Sequence, residues 1–177
     1  MLYRTFFKRL LAVTLLSAST ASFAHPALST HSMNVDGLGP VKIGMTPQQA
    51  SVKLGIVLSR AREPDENDIY CHYVYPGGDY RDIGFMVVRG EIVRIDVFSS
   101  LIGVDGKIFV GSDESIIDKT YPGLVEEETH PYLGISGKYL TIKKISGFTY
   151  LFETDSGKIS RFRMGRERPV KLIEGCH

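Results

Sequence analysis

Two Cys-His dipeptides, Cys71-His72 and Cys176-His177, are the residues of this chain best equipped for chemistry. Two thiolates and two imidazoles make a ligand set for tetrahedral zinc. Adjacent residues on a strand point to opposite faces, however, so each dipeptide aims only one of its two side chains at a given ion. An isolated cysteine pair in an oxidising compartment is more simply a disulfide. The expectation is therefore a Cys71–Cys176 bridge and no metal. Closing a loop of about 100 residues would contribute on the order of 4–5 kcal/mol on the chain-entropy model.

Other constellations are weaker. If the chain were cut after Ala24, His25 would offer an amine and an imidazole to copper, but it leads an aperiodic segment and Pro26 removes the next backbone N–H as a ligand. No Gly-x-Ser-x-Gly elbow is present, and Gly137, Gly147 and Gly157 sit in hairpin contexts rather than in a phosphate-binding strand-to-helix loop. Glu126-Glu127-Glu128 are adjacent in sequence and read as a solvated acidic tip. General acid–base work needs two groups whose environments push their pKa values apart, and the sequence offers no such pair. No catalytic residue and no cofactor are expected, and the chain is read as a non-enzyme.

The most suggestive side chains are instead Arg94, Asp96, Arg161 and Arg163. If Val93, Ile95 and Val97 face a core, strand alternation turns Ile92, Arg94 and Asp96 outward, and Ile159, Arg161 and Arg163 likewise. Such a face suits recognition of another protein, because guanidinium groups stack and bind carboxylates in bidentate fashion. Arg166, Arg168 and Lys171 extend it. The bland reading of the same residues is a solvated edge guarded by charge.

The elements that position these residues begin after an export signal. Arg4, Lys8 and Arg9 precede an apolar Leu10–Leu16 and a small-x-small Ser22-Phe23-Ala24, the pattern of a signal peptide over 1–24. Removing it changes the formal charge from +1 to −2, with 18 basic against 20 acidic residues, which disfavours nucleic acid as a partner. Neither a membrane span nor a lipid-bearing cysteine after the cleavage site is expected, and the localisation follows as periplasmic or secreted.

Residues 25–35 read as a flexible leader. Beyond it, Val41–Ile43 forms a short strand, and a helix is capped by Thr46 with Pro47 at its first position, Gln49 completing the capping box and Gly55 past its end. Arg62–Glu66 forms a charged loop, Tyr70–Tyr75 a strand, and Ile83–Val88 and Glu91–Phe98 a hairpin across Arg89-Gly90. The order recurs 67 residues later: strand Ile108–Val110, helix Asp113–Tyr121, strand Tyr139–Ile145, and hairpin Thr149–Thr154 with Lys158–Met164. Gly44/Gly111, Phe85/Phe152, Gly90/Gly157, Ile92/Ile159 and Arg94/Arg161 coincide at that offset without a gap. The expected fold is α+β: two tandem α-β-β-β units, 36–100 and 101–177, with helices packed on one face of an antiparallel sheet.

Gly44-Met45-Thr46-Pro47-Gln48-Gln49 with Gly55 resembles the Gly-Met-Thr helix signature of small exported bacterial domains, among them the lipoprotein component of the β-barrel assembly machinery and the tandem-repeat β-lactamase inhibitory protein. The second copy reads Gly111-Ser112-Asp113 instead. Cys71-x-Tyr73 with Glu174-Gly175-Cys176 is also similar to a group of uncharacterised exported bacterial proteins. The resemblance implies binding of other proteins rather than catalysis. The expected function is a non-catalytic protein-binding module of the cell envelope, an enzyme inhibitor being one form of it. The alternatives are an envelope ligand-binding protein or a hydrolase with its site between the two halves, and a purely structural role in the envelope.

Overall fold

The computed structural model describes residues 28–61, 70–77 and 82–176. The expected signal segment, His25, the charged tip Arg62–Glu66 and the end of the Pro76–Asp79 turn lie outside the described residues.

Among the described residues the fold is a mostly-sheet α+β arrangement of two sheets and three short α-helices. Helix α1 (Pro47–Leu54) starts where its local chemistry dictates. Thr46 Oγ1 accepts from Gln49 N at 3.2 Å, Gln49 Oε1 accepts from Thr46 N at 2.9 Å, and Gly55 closes the helix at φ 67°. A cap of this kind is worth about 1 kcal/mol. Helix α2 (Ser115–Thr120) has an Asx turn in place of a capping box, Asp113 Oδ1 accepting from Ser115 N at 3.0 Å. Helix α3 (Glu167–Lys171) follows the last strand and was not expected.

The larger sheet holds β4 (Leu58–Ser59), β5 (Cys71–Pro76), β6 (Ile83–Val88), β7 (Glu91–Val97), β10 (Val125–His130), β11 (Gly134–Ile145), β12 (Phe148–Asp155) and β13 (Lys158–Gly165). Its order is β10-β11-β12-β13-β7-β6-β5-β4, antiparallel throughout, so β7 and β13 meet at the centre. The smaller sheet is made of β1 (Met33–Asn34), β2 (Gly37–Leu38), β3 (Val41–Lys42), β8 (Gly103–Val104) and β9 (Ile108–Phe109), in the order β3-β2-β1-β8-β9. It is mixed because β1 runs parallel to β8.

One face of the large sheet carries the main core. Phe85, Ile95, Phe152, Phe162 and Met164 pack there with Ala50 and Leu54 of α1 and Ile117 of α2. On the opposite face Tyr139, Leu151 and Val170 of α3 form a second cluster. The expected leader over 25–35 is not free over its described part. Leu28 and Met33 are fully buried in the main core, and β1 supplies the link between β2 and β8.

Two bulges correct the predicted strand faces. Met86 pairs with Arg94 and Val87 with Ile92, which leaves Val93 as an extra residue; Glu153 pairs with Arg161 and Thr154 with Ile159, which leaves Ser160. An extra residue resets the two-residue alternation. Ile92 and Ile159, expected outside beside the arginines, therefore turn into the main core. Each bulged strand also bonds the loop before a helix. Gly44 N donates to Ile92 O at 2.8 Å and Ile92 N to Met45 O at 2.8 Å; Gly111 N donates to Ile159 O at 2.7 Å and Ile159 N to Ser112 O at 2.9 Å.

Candidate functional site

The four residues singled out from the sequence do come together. In the register of β13 against β7, Arg163 stands opposite Asp96, and Arg94 and Arg161 lie two residues before these partners on their own strands. All four lie on the face away from the main core, at the central seam of the large sheet.

The expectation of an open surface fails for three of them. Arg94 is 3% exposed, Asp96 5% and Arg163 3%. The C-terminal segment after β13 lies across this face. Arg94 Nη1 donates to the carbonyl oxygens of Pro169 at 2.9 Å and Leu172 at 2.6 Å, Val170 packs on Tyr139 and Leu151, and Gly175 lies against the Tyr73 ring. The Cys71–Cys176 disulfide fastens the end of the segment to β5, with Cα atoms 5.4 Å apart. Both sulfurs are thereby committed, and the zinc alternative loses its thiolates.

Burial of charge at this depth requires pairing. Arg94 Nε stands 3.0 and 2.9 Å from the two oxygens of Asp96, and Arg94 Nη2 is 2.8 Å from Asp96 Oδ1. Tyr73 donates its hydroxyl to Asp96 Oδ2 at 3.2 Å. Burial first and the Asp96 charge second push the Tyr73 pKa well above the usual phenol value, so it stays a donor. On the other side of the seam Glu153 gathers the remaining cations. Arg161 Nη2 is 2.6 Å from Glu153 Oε2, and Arg163 Nη1 is 2.9 Å from Oε1, a charge contact without good hydrogen-bond geometry. The pairing with Glu153 raises the Arg161 pKa although burial works against it, whereas burial and the nearby Arg94 lower that of Arg163.

His130 completes the cluster. Its Nδ1 accepts from the backbone N–H of Tyr132 at 3.2 Å and Leu133 at 3.3 Å. That assigns the ring proton to Nε2, which stands 3.1 Å from Glu153 Oε2 and donates to it. The histidine thus anchors the β10–β11 turn to the seam. Glu153 and His130 escaped the sequence reading. Alternation along β12 sets Glu153 on the same face as Leu151, and a lone carboxylate opposite Arg161 was the available signal. His130 carried none, because Glu126-Glu127-Glu128 just before it read as a solvated acidic tip rather than as part of a strand.

Arg163 is not fully satisfied. Its Nε and Nη2 have no hydrogen-bond partner among the described residues. It lines a cavity of about 180 Å³ above Gly84, with Tyr73, Tyr75, Arg161 and Phe98 at the sides and Ile173–Gly175 at the rim. The space exists because residue 84 lacks a side chain: a Cβ there would meet the Tyr73 and Tyr75 rings at 3.2 and 3.3 Å. Both seam carboxylates are held by arginines, so the arrangement presents fixed donors to an incoming acceptor. Among the described residues no group of three or more His, Cys, Asp or Glu side chains is placed to hold a metal ion. Nor is any helix among them long and apolar enough to cross a membrane.

No family model and no curated protein matches the chain. Among solved structures, the chain is similar to the uncharacterized protein yfeY from Escherichia coli, at 17% identity over 76% of this chain and 99% of that one, with a TM-score of 0.49. It is also similar to an extracellular protein containing a SCP domain from Bacillus anthracis, at 12% identity over 90% of this chain and 54% of that one, again with a TM-score of 0.49.

Proposed function

We propose that the chain is a non-catalytic protein-binding module of the bacterial cell envelope, exported by its N-terminal segment and built from two tandem α-β-β-β units. The basic, apolar and small-residue pattern of residues 1–24 and the Cys71–Cys176 disulfide support export. The paired loop-to-strand hydrogen bonds at Gly44/Ile92 and Gly111/Ile159, and the two bulges, recur at an offset of 67 residues and support the tandem reading.

One observation carries the choice of site: a buried arginine, Arg163, keeps two donors without an acceptor at the wall of a cavity. An acidic side chain of a partner would supply the missing acceptor once the Ile173–Gly175 rim moves aside, with Arg161 half-exposed at the mouth to guide it. Arg94 is unsuitable as a test position, since it is buried and ion-paired with Asp96. Arg161→Gln is the usable variant, because Glu153 retains Arg163 and His130. Capture of an envelope partner by the mature chain is expected to fall in Arg161→Gln at a nearly unchanged melting temperature; undiminished capture would count against the module. A second reading, a small acid bound between the halves, is favoured by the modest cavity volume. It predicts saturable acetate or succinate binding that Arg161→Gln weakens.

A further inference from the structure

A second concavity borders the C-terminal segment on the side of α3 and adjoins the seam cavity at Gly175, the residue that lines both. It is about 740 Å³ in volume and runs between the β6–β7 turn and α3. That volume falls within the range of small-molecule sites, about 300–1,000 Å³. Its rim carries Arg89, Arg166 and Arg168, and its walls are apolar at Tyr70, Pro169 and Leu172. One end is closed by Gly175 and by the disulfide itself, through Cys71 and Cys176.

The charges on this rim are not balanced. Among the described residues Glu91 is the only acidic one that lines it, and its carboxylate is taken by Arg166 Nη2 at 2.7 Å. Arg89 and Arg168 form no ion pair among the described residues. Among the described residues, three guanidinium groups against one carboxylate leave a local excess of positive charge, although the mature chain as a whole is slightly acidic.

Arg89 is also an unusual residue for its position. It occupies the left-handed region at φ 51°, followed by Gly90 at φ 84°, in a two-residue hairpin turn where Asn, Asp or Gly are the low-cost choices. The corresponding turn of the β12–β13 hairpin holds Ser156 at φ 51° and Gly157 at φ 79°. Arginine is thus held where local backbone preference opposes it. The backbone N–H of Arg89 donates to Tyr70 O at 3.0 Å, which fixes the turn beside the apolar wall.

We infer that this groove is a binding site for an anionic amphiphile: a phosphate-type head held by Arg89 and Arg168, with an apolar body lying along Tyr70, Pro169 and Leu172 and ending at the disulfide. Arginine forks suit phosphate oxygens, and the aromatic and aliphatic walls exclude water from the contact. An anionic lipid headgroup and a soluble aryl phosphate share this chemistry. The disulfide forms part of the wall and closes one end of the groove, so the test is made on the oxidised chain.

The test uses the oxidised mature chain with phenyl phosphate, followed by calorimetry and by amide NMR shifts. A parallel arm measures cosedimentation with vesicles of phosphatidylglycerol in phosphatidylcholine against phosphatidylcholine alone. Saturable binding that shifts Arg89, Arg168 and Leu172, and that weakens at least about tenfold in an Arg89→Gln/Arg168→Gln variant, is the expected result; about tenfold corresponds to one charge-assisted hydrogen bond and is the lower bound for a variant that removes two such contacts. Both side chains are exposed, so the variant keeps its fold. Binding to the anionic vesicles alone, lost in the same variant, supports the site and identifies the lipid source. Absence of binding to both probes overturns the inference, as does binding that the double variant leaves unchanged. Shifts confined to Tyr75 and Arg161 would place the ligand in the seam cavity and overturn it equally.

Discussion

Glu153 is the residue on which the seam depends, since one carboxylate at 1% exposure meets Arg161, Arg163 and His130 together. Removing one partner of a buried charge network typically costs about 3–5 kcal/mol, because the remaining charges stay buried without compensation. Glu153→Gln is therefore expected to lower stability by that order in urea unfolding, whereas Glu126→Gln, at an exposed ion pair with Lys143, changes it by less than about 1 kcal/mol. Equal effects would show that Glu153 is no more than a surface partner. Three tyrosines give the chain a predictable alkaline limit. Burial comes first for all three; nearby carboxylates follow for Tyr121, which is pushed up to about 12, and for Tyr73, and the Tyr121 phenol follows for Tyr150, so that Tyr73 and Tyr150 are also raised. A folded-state pKa above the unfolded value means that the neutral phenol stabilises the fold fully below about pH 10 and loses that contribution as pH rises toward 12 and beyond. Tyr150 also donates to Asn34 O, linking the two sheets. Tyr150→Phe should flatten the loss of stability between pH 10 and 12, read by circular dichroism; an unchanged slope would refute its part. The sequence brought Arg94, Asp96, Arg161 and Arg163 to one face because alternation within a strand is local. The burial of Arg94 was not legible, because it comes from carbonyls 75 and 78 residues further along the chain, on a segment with too little pattern to detect.

Elements whose signals are local were readable in advance. Helix α1 announces itself by Thr46, Pro47, Gln49 and Gly55, and the hairpins by Arg89-Gly90 and Ser156-Gly157. Strand β10 was hidden because Glu126-Glu127-Glu128 shows no alternation; the structure makes it an edge strand whose glutamates meet Lys143 and Lys138 of β11. Charged residues on an edge discourage further strand pairing, which is the function of such a run. Helix α3 has five residues and no side-chain cap, too little pattern to detect. The bulges were also invisible, since an extra residue in a strand is defined only by its partner. The bulge at Val93 nevertheless leaves a trace, in Gly165. A Cβ at that position would lie 2.2 Å from Val93 O, and Arg166 N donates to the same oxygen at 2.9 Å. Gly165→Ala must push β13 away from β7 and is expected to cost about 1–3 kcal/mol, as overpacking does. A melting temperature equal to that of the parent would mean that the two strands separate freely.

At the scale of the molecule, the Cys71–Cys176 bond ties the last described residue to β5, closing a loop with a sequence separation of 105. The chain-entropy model assigns such a loop about 4–5 kcal/mol, which is comparable with the whole stability of many domains. The C-terminal segment has other anchors, however: two carbonyl bonds from Arg94 and the burial of Val170 against Tyr139 and Leu151. These act at residues 169–172, while the disulfide acts at residue 176, so loss of the bond should free the end before the middle. A Cys71→Ala/Cys176→Ala variant is accordingly expected to show fast amide exchange at Gly175, intermediate exchange at Leu172 and retained protection at Val170, whose N–H donates to Arg166 O at 3.1 Å. The rim of the seam cavity at Ile173–Gly175 opens in that state, and Arg163 becomes reachable without loss of the central β7–β13 pairing. Uniform loss of protection from Arg166 onward would instead show that the covalent bond alone holds the segment, and that Arg94 follows its two carbonyls rather than fixing them.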